Sequence, residues 1–308
     1  MSSSPQVSVV MSVFNGADQL PETMDSVLQQ QDCEFEFIVI DDGSTDGAGA
    51  LLDGYAARDT RVRVLHQANT GLTLALARGC AEARGEFIAR QDAGDCSLPG
   101  RLAAQQAFLV AHPEVVMTAC AVQFCGPAHE PLHLVSRPMM VLDEGLREKR
   151  LDRLTGPPHH GGTMFRRSTY QLAGGYRLPF VVAQDMDLWL RISEHGQCLG
   201  TDGVFYEARL AAGSISSRRR DDQFSLGALA LACAAERRRG GSDAGLLQST
   251  LPTPTPHHGL APLERARFHY FIGSLLRVQD PVAAKRYYRL ALSENPFHIK
   301  ALLRCIVG

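Results

Sequence analysis

A chain of 308 residues carrying 31 Lys plus Arg against 33 Asp plus Glu, a formal net charge of -2 at pH 7, has no overall field to attract a nucleic acid backbone or an anionic membrane. Apolar residues at 45% and charged residues at 21% are ordinary for a globular protein and exclude fibrous and disordered classes.

The opening MSSSPQVSVV lacks the basic and apolar regions of a secretory signal. VSVVMSVF, Val7 to Phe14, is short, β-branched and almost wholly apolar, the pattern of a parallel strand buried on both faces. NGADQLPETMDSVLQQQ follows with Leu20, Met24, Val27 and Leu28 at helical spacing and Pro21 near the start, where its missing N–H costs little. FEFIVIDDGSTDG predicts a second strand over Phe35 to Ile40 that stops at Asp41-Asp42-Gly43-Ser44. RVRVLHQ is a third strand, TGLTLALARGCAEARG a helix and EFIARQD a fourth strand. PGRLAAQQAFLVAHP reads as a helix between Pro99 and Pro113, and EVVMTACAVQF as a strand. GPPHHGGTMFRRSTYQLAGGYR gives a loop, a short apolar stretch and a Gly174-Gly175 turn; AQDMDLWLRISEHG is a helix ended by Gly196. The segment from Gly126 to Pro158 has no readable pattern.

LGALALACAA, from Leu226, is about half the length of a bilayer span. RRRGGSDAG and LPTPTPHHG, between Arg237 and Gly259, are breaker-rich and mark a linker. The tail ERARFHYFIGSLLRVQDPVAAKRYYRLALSENPFHIKALLRC is helical, with Ala284, Tyr288, Ala291 and Pro296 at the spacings of a tetratricopeptide second helix. Only one copy is visible, so a hairpin packing on its own domain competes with a partner-binding module. The expected division is a catalytic domain over 1–215, a helix and Pro/Gly-rich linker over 216–262, and a tetratricopeptide-like hairpin over 263–308. Eight cysteines without a CxxC pair read as reduced thiols. A cytoplasmic location, including the inner face of the membrane, is expected.

Strands alternating with helices specify an α/β, Rossmann-like, doubly wound and mostly parallel sheet with a C-terminal helical extension. Its ligand crevice lies beyond the carboxyl ends of the strands, which carry Ser12 to Asn15, Asp41 to Ser44 and Asp92 to Asp95. No GxGxxG follows the first strand and no GxxxxGK[ST] occurs, so neither usual phosphate cradle is present. Carboxylates facing a phosphorylated ligand call for a divalent cation.

Taken together, VVMSVFNG, FIVIDDGSTD, ANTGLTLALARGCAEARGEFIARQDAGD, HHGGTMFRR, GGYR and QDMDLWLRI make the stretch from Val7 to about Ala212 resemble a family 2 glycosyltransferase with the GT-A fold. The resemblance implies inverting transfer of a sugar from a UDP-, GDP- or dTDP-sugar to a glycan or lipid-linked acceptor, in cell-surface polysaccharide or glycoconjugate synthesis. It places Ser12, Phe14, Asn15, Asp42 and Asp92 on the donor, with Asp42 accepting a base N–H; the alternative is that Asp42 caps the turn at Gly43. Asp92-Ala93-Gly94-Asp95 falls on the family's DXD motif, but Gly94 stands where the second acid belongs. Asp92 and Asp95 are then the ligands of Mn2+ or Mg2+; otherwise Asp95 is a helix cap and arginines neutralise the diphosphate.

Asp185 falls at the family's general base, where a helix dipole favours its ionised form. Asp187 is either solvated or paired with Arg191. His159, His160 and Trp189 are expected at the acceptor side; the alternatives are a loop role and, behind it, metal ligation for the histidines, and core packing for Trp189. Arg218 to Arg220 and Arg237 to Arg239 are solvated helix faces or contacts for lipid phosphate at a membrane surface. Two rival functions stand: a non-catalytic sugar-nucleotide binder or scaffold working through its tail, and a nucleotidyltransferase, which SVFNGADQL, lacking Lys and Arg, disfavours.

Overall fold

The computed structural model describes residues 4–137, 139–150, 152–212, 219–248 and 261–307. Arg218, the expected boundary at 215–216 and the LPTPTPHHG stretch lie outside the described residues. The chain divides into two units, the first made of Met1–Val122, Val135–Ala208 and Asp221–Pro252, the second of Gln123–Leu134, Arg209–Arg220 and Thr253–Gly308.

The first unit opens with β1 (Val7–Val13), α1 (Leu20–Leu28), β2 (Phe35–Asp41), α2 (Ala48–Arg58), β3 (Val62–His66), α3 (Leu72–Ala81) and β4 (Phe87–Arg90). Strands β3, β2, β1 and β4 lie side by side and parallel, as the apolar runs require. Burial on both faces explains those runs. Val9, Met11, Phe37 and Val39 pack with Leu20 and Met24 of α1 and Leu52 of α2. Their neighbours Val10, Ile38 and Ile40 pack with Ala75, Leu76 and Cys80 of α3 on the opposite face.

Close approach of α3 depends on Gly79, where an added Cβ would lie 2.6 Å from Val10 Cγ1 and 3.3 Å from Ile40 Cγ1. Gly79→Val is expected to destabilise the protein by about 1–3 kcal/mol through overpacking, read as a lower urea midpoint. An unchanged midpoint would show that the contact yields freely.

After β5 (Cys96–Ser97) and α4 (Arg101–Ala111), the chain adds β6 (Val115–Cys125), β7 (Pro131–Val135), α5 (Met139–Arg147), β8 (Thr163–Arg166), α6 (Arg167–Leu172), α7 (Gln184–Ile192) and β9 (Gln197–Arg209). The sheet is mixed, with order β3-β2-β1-β4-β8-β6-β9-β5 and β7 on β6. Antiparallel pairing of β8 with β4 sets Met164 opposite Ala89, which delivers the His159–Gly162 loop to the carboxyl end of β4.

Helices α8 (Arg220–Arg238) and α9 (Ala244–Gln248) complete the first unit. The sequence leads one to expect a helix followed by a breaker-rich linker from Arg237, and within that stretch α9 is a second short helix. Ala230 and Ala234 of α8 pack against Phe180 and Leu190, because small side chains let the helix sit close to α7. No helix among the described residues is long and apolar enough to cross a membrane.

The second unit contains α10 (Pro262–Leu276), α11 (Pro281–Glu294) and α12 (Ile299–Val307), one helix more than the expected hairpin. Asp280 caps α11 by accepting the Ala283 N–H at 2.9 Å. Ile272, Leu276, Ala284, Tyr287, Tyr288 and Ala301 form its core, and the Tyr288 hydroxyl donates to the Gly273 carbonyl at 3.0 Å.

Candidate active site

Strand β1 is central, so its carboxyl end has a neighbour on each side. The Asp42 N–H donates to the Val13 carbonyl at 2.8 Å, and the Gln91 N–H to the Val10 carbonyl at 3.1 Å. Asp42 and Asp92 therefore flank the half-buried Ser12 and Phe14. Asn15, at φ 58, ties the loops after β1 and β2 together: its N–H donates to Ser44 Oγ at 2.9 Å and its Oδ1 accepts the Thr45 N–H at 2.8 Å. Asp42 is buried. Its Oδ1 accepts from Gln67 Nε2 at 2.7 Å and the Thr70 N–H at 2.9 Å, and its Oδ2 from the Gly71 N–H at 2.8 Å. Its carboxylate thus holds the loop leading into α3.

Asp92, Asp95 and His159 offer ligand atoms that all lie within 4.8 Å of one another. His159 Nδ1 is 3.7 Å from Asp92 Oδ2 and 3.6 Å from Asp95 Oδ2. Those separations exceed a hydrogen bond and leave room between the groups for a cation. Two carboxylates with one imidazole offer oxygen and nitrogen donors to a divalent cation, so the residues present fit such an ion.

The Tyr206 hydroxyl donates to Asp95 Oδ2 at 3.0 Å and accepts the Asp92 N–H at 3.1 Å, binding the two acids into one unit. Asp95 is therefore no helix cap; α4 begins at Gly100 without a side-chain cap. The His159 ring stacks on Tyr206 with centroids 5.5 Å apart. Glycine at 161 is obligatory, since a Cβ there would fall 1.9 Å from the Tyr206 oxygen. Gly94 turns with φ +95, and a Cβ on it would meet Gln19 Oε1 at 2.7 Å, so the position opposite the family's second acid faces α1.

Two buried arginines back the cluster. Arg90 Nη2 meets Asp92 Oδ1 at 2.7 Å, and Arg90 also donates to the Val10 carbonyl and to His160 Nε2 at 3.3 Å. Burial pushes the Asp92 carboxyl up, but Arg90, His160, His159 and Arg101 outweigh it and hold the group below the usual carboxylate range. Arg101 donates to the Arg90 carbonyl at 2.7 Å and Ser97 Oγ at 2.9 Å, and its guanidinium lies 4.9 Å from the centre of the Tyr206 ring. Neither arginine was singled out from sequence. The available signal was a charge inside the apolar FIAR strand, which folding must pair.

His160 departs from the acceptor-side expectation. It is buried, hydrogen-bonds the Tyr176 hydroxyl at 2.7 Å, and lies edge-on to Trp189 at 6.0 Å. Burial, reinforced by Arg90, pushes its pKa down to about 3, so the ring is neutral at physiological pH. Trp189 is likewise buried in the core with Leu188 and Ile192, the packing role rather than an open pocket wall.

Asp185 stands in the first turn of α7, whose N-terminus turns at Ala183 with φ 57. It is half-buried, and its Oδ1 accepts the Met186 N–H at 2.8 Å. Burial raises its pKa most; Asp92 raises it further, while the Met186 N–H and His159 lower it. The net shift is upward, so the expected helix-end stabilisation of the ionised form is outweighed by desolvation. Asp92 and His159 thus both act electrostatically on the Asp185 carboxyl. Below them, buried Asp187 pairs with Arg191 Nη2 at 2.6 Å and accepts from Arg177 Nε at 3.1 Å; Arg177 also reaches Asp243 at 2.7 Å.

His159→Ala is expected to weaken Mn2+ binding by at least about 10-fold in isothermal titration. Equal affinity would remove this residue from the ligand set.

The chain matches the family model described as glycosyl transferase family 2 over residues 8–172. It is 34% identical over 210 residues to EpsE of Bacillus subtilis (strain 168), covering 64% of this chain and 69% of that one. Its fold resembles S. aureus TarS 1–349 in complex with UDP-GlcNAc, with TM-score 0.57, 18% identity, and 98% of this chain and 88% of that chain covered. It also resembles the mannosyltransferase PcManGT from Pyrobaculum calidifontis in complex with GDP-Man and Mn2+, with TM-score 0.56, 19% identity, and coverage of 98% and 79%. With a family match spanning more than half its length, the chain belongs to glycosyl transferase family 2 and is a glycosyltransferase of the GT-A fold.

Proposed function

We propose that the chain moves a sugar from a nucleoside-diphosphate donor to a hydroxyl of a glycan or lipid-linked acceptor, with inversion, in the assembly of a surface polysaccharide or glycoconjugate. The observation that carries this reading is the cluster of Asp92, Asp95 and His159 at the carboxyl end of β4, with Asp185 in electrostatic reach of Asp92 and His159. Binding of UDP-GlcNAc by TarS and of GDP-Man by PcManGT supports a sugar nucleotide as donor.

Ser12 and Phe14 take the nucleoside, with Phe14 offering a face to the base, while Asn15 and Asp42 shape the pocket by fixing its loops. Asp92, Asp95 and His159 would hold a divalent cation, which supplies positive charge for the departing diphosphate. Arg90 keeps Asp92 ionised for that role. Asp185 takes the proton of the acceptor hydroxyl as its oxygen bonds to the anomeric carbon and the bond to the diphosphate oxygen breaks on the opposite face. Its raised pKa makes it a stronger base than an ordinary carboxylate.

The test is a thermal-shift panel of UDP-, GDP- and dTDP-sugars with Mn2+, followed by transfer assays on the nucleotide that stabilises. Stabilisation by one nucleotide class and consumption of that donor are the expected results. No stabilisation by any of them would defeat the reading.

A further inference from the structure

Helix α12, IKALLRCIV, is packed inside out. Ala301 is buried and Cys305 joins it against the core of the second unit. Its large apolar residues face water: Ile299 is 71% exposed, Leu302 46%, Leu303 54% and Ile306 72%. At roughly 100° per residue these four share one stripe, turned away from Ala301 and Cys305, with Lys300 beside its Leu303 edge and Arg304 further round. A helix of a globular unit ordinarily turns such a stripe inward. Here the preceding Phe297, 88% exposed, extends it.

The segment that carries the stripe is basic. Helix α12 contains Lys300 and Arg304 and no acid, and residues 261–307 hold eight Lys plus Arg against three acids in a chain whose totals are 31 and 33. All three acids are engaged. Glu294 pairs with Arg265 at 2.7 Å, Asp280 accepts the Ala283 N–H, and Glu264 accepts the Ala261 N–H.

We propose that α12 is a docking face for an anionic lipid bilayer, its apolar stripe entering the headgroup boundary while Lys300 and Arg304 meet lipid phosphates. Apolar burial with basic flanks is the combination that holds a helix in a membrane interface. A second copy of the chain is the less suitable occupant, because it carries the same basic excess over residues 261–307. A nine-residue helix gives shallow, reversible attachment.

The full chain, with no donor or acceptor present, is floated with vesicles of phosphatidylcholine alone and with vesicles of equal parts phosphatidylcholine and phosphatidylglycerol. Partition at least about 10-fold greater onto the anionic vesicles is expected, weakening as salt is raised. The doubly substituted Leu303→Gln, Ile306→Gln chain should lose most of that partition, and Lys300→Gln, Arg304→Gln should erase the preference for anionic lipid. Both alter water-facing positions, and circular dichroism checks that each stays folded. Failure of the unsubstituted chain to float, or equal flotation of the Leu303→Gln, Ile306→Gln chain, would overturn the proposal. So would a sedimentation result in which the unsubstituted chain is a dimer and that variant a monomer, since the stripe would then be covered by a second copy.

Discussion

Asp185→Asn is expected to lower kcat for sugar transfer by about 10²- to 10⁴-fold, the usual worth of a positioned general base, while donor affinity does not fall. The amide keeps the size of the side chain and can still accept the Met186 N–H that now goes to Asp185 Oδ1, so α7 should start as before. It cannot take a proton. Burial and the neighbouring Asp92 charge both favour the neutral form of Asp185, and removing that charge should also ease binding of a negatively charged diphosphate. Titration calorimetry for the donor and a steady-state assay for transfer separate the two effects. Retention of full kcat would move the base elsewhere.

Asp187→Ala is expected to cost about 3–5 kcal/mol of stability, measured from urea unfolding. The carboxylate is buried between Arg177 and Arg191. Arg191 has no other carboxylate partner among the described residues, and burial already pulls its pKa down. Without Asp187 the two guanidiniums would face each other in a site that water barely reaches. Arg177 keeps Asp243, which is why the loss should fall short of complete unfolding. A change below about 0.5 kcal/mol, the range of an ordinary surface substitution, would show that the network contributes nothing.

The parallel half of the sheet was legible because each of its strands is buried on both faces, so hydrophobicity alone delimits β1, β2 and β4. Strand β9 was not read: nine of its thirteen residues are partly or fully exposed, and Gly200 and Gly203 interrupt it. The 126–158 region yielded no pattern because β7 is largely exposed and α5 is short. Of the site, the acids were visible through their spacing and the resemblance it carried. The two histidines were not separable. His159 and His160 are adjacent in a loop, where successive side chains point to different sides, and only the fold shows that one faces Asp92 and Asp95 while the other lies against Arg90 and Trp189. Arg90, Arg101 and Tyr206 were invisible because a count of charges carries no information about which are enclosed.

The Tyr206 hydroxyl joins the Asp92 amide to the Asp95 carboxylate across 114 and 111 residues of sequence. During synthesis the acids therefore emerge long before the phenol that aligns them, and contacts of such separation are slow to form. A nascent chain stopped at residue 172, where the family match ends, would already own its nucleoside loops yet possess neither Asp185 nor Tyr206. Alignment of the two acids thus waits for the last long strand, so this corner of the molecule is among the last to take its final form.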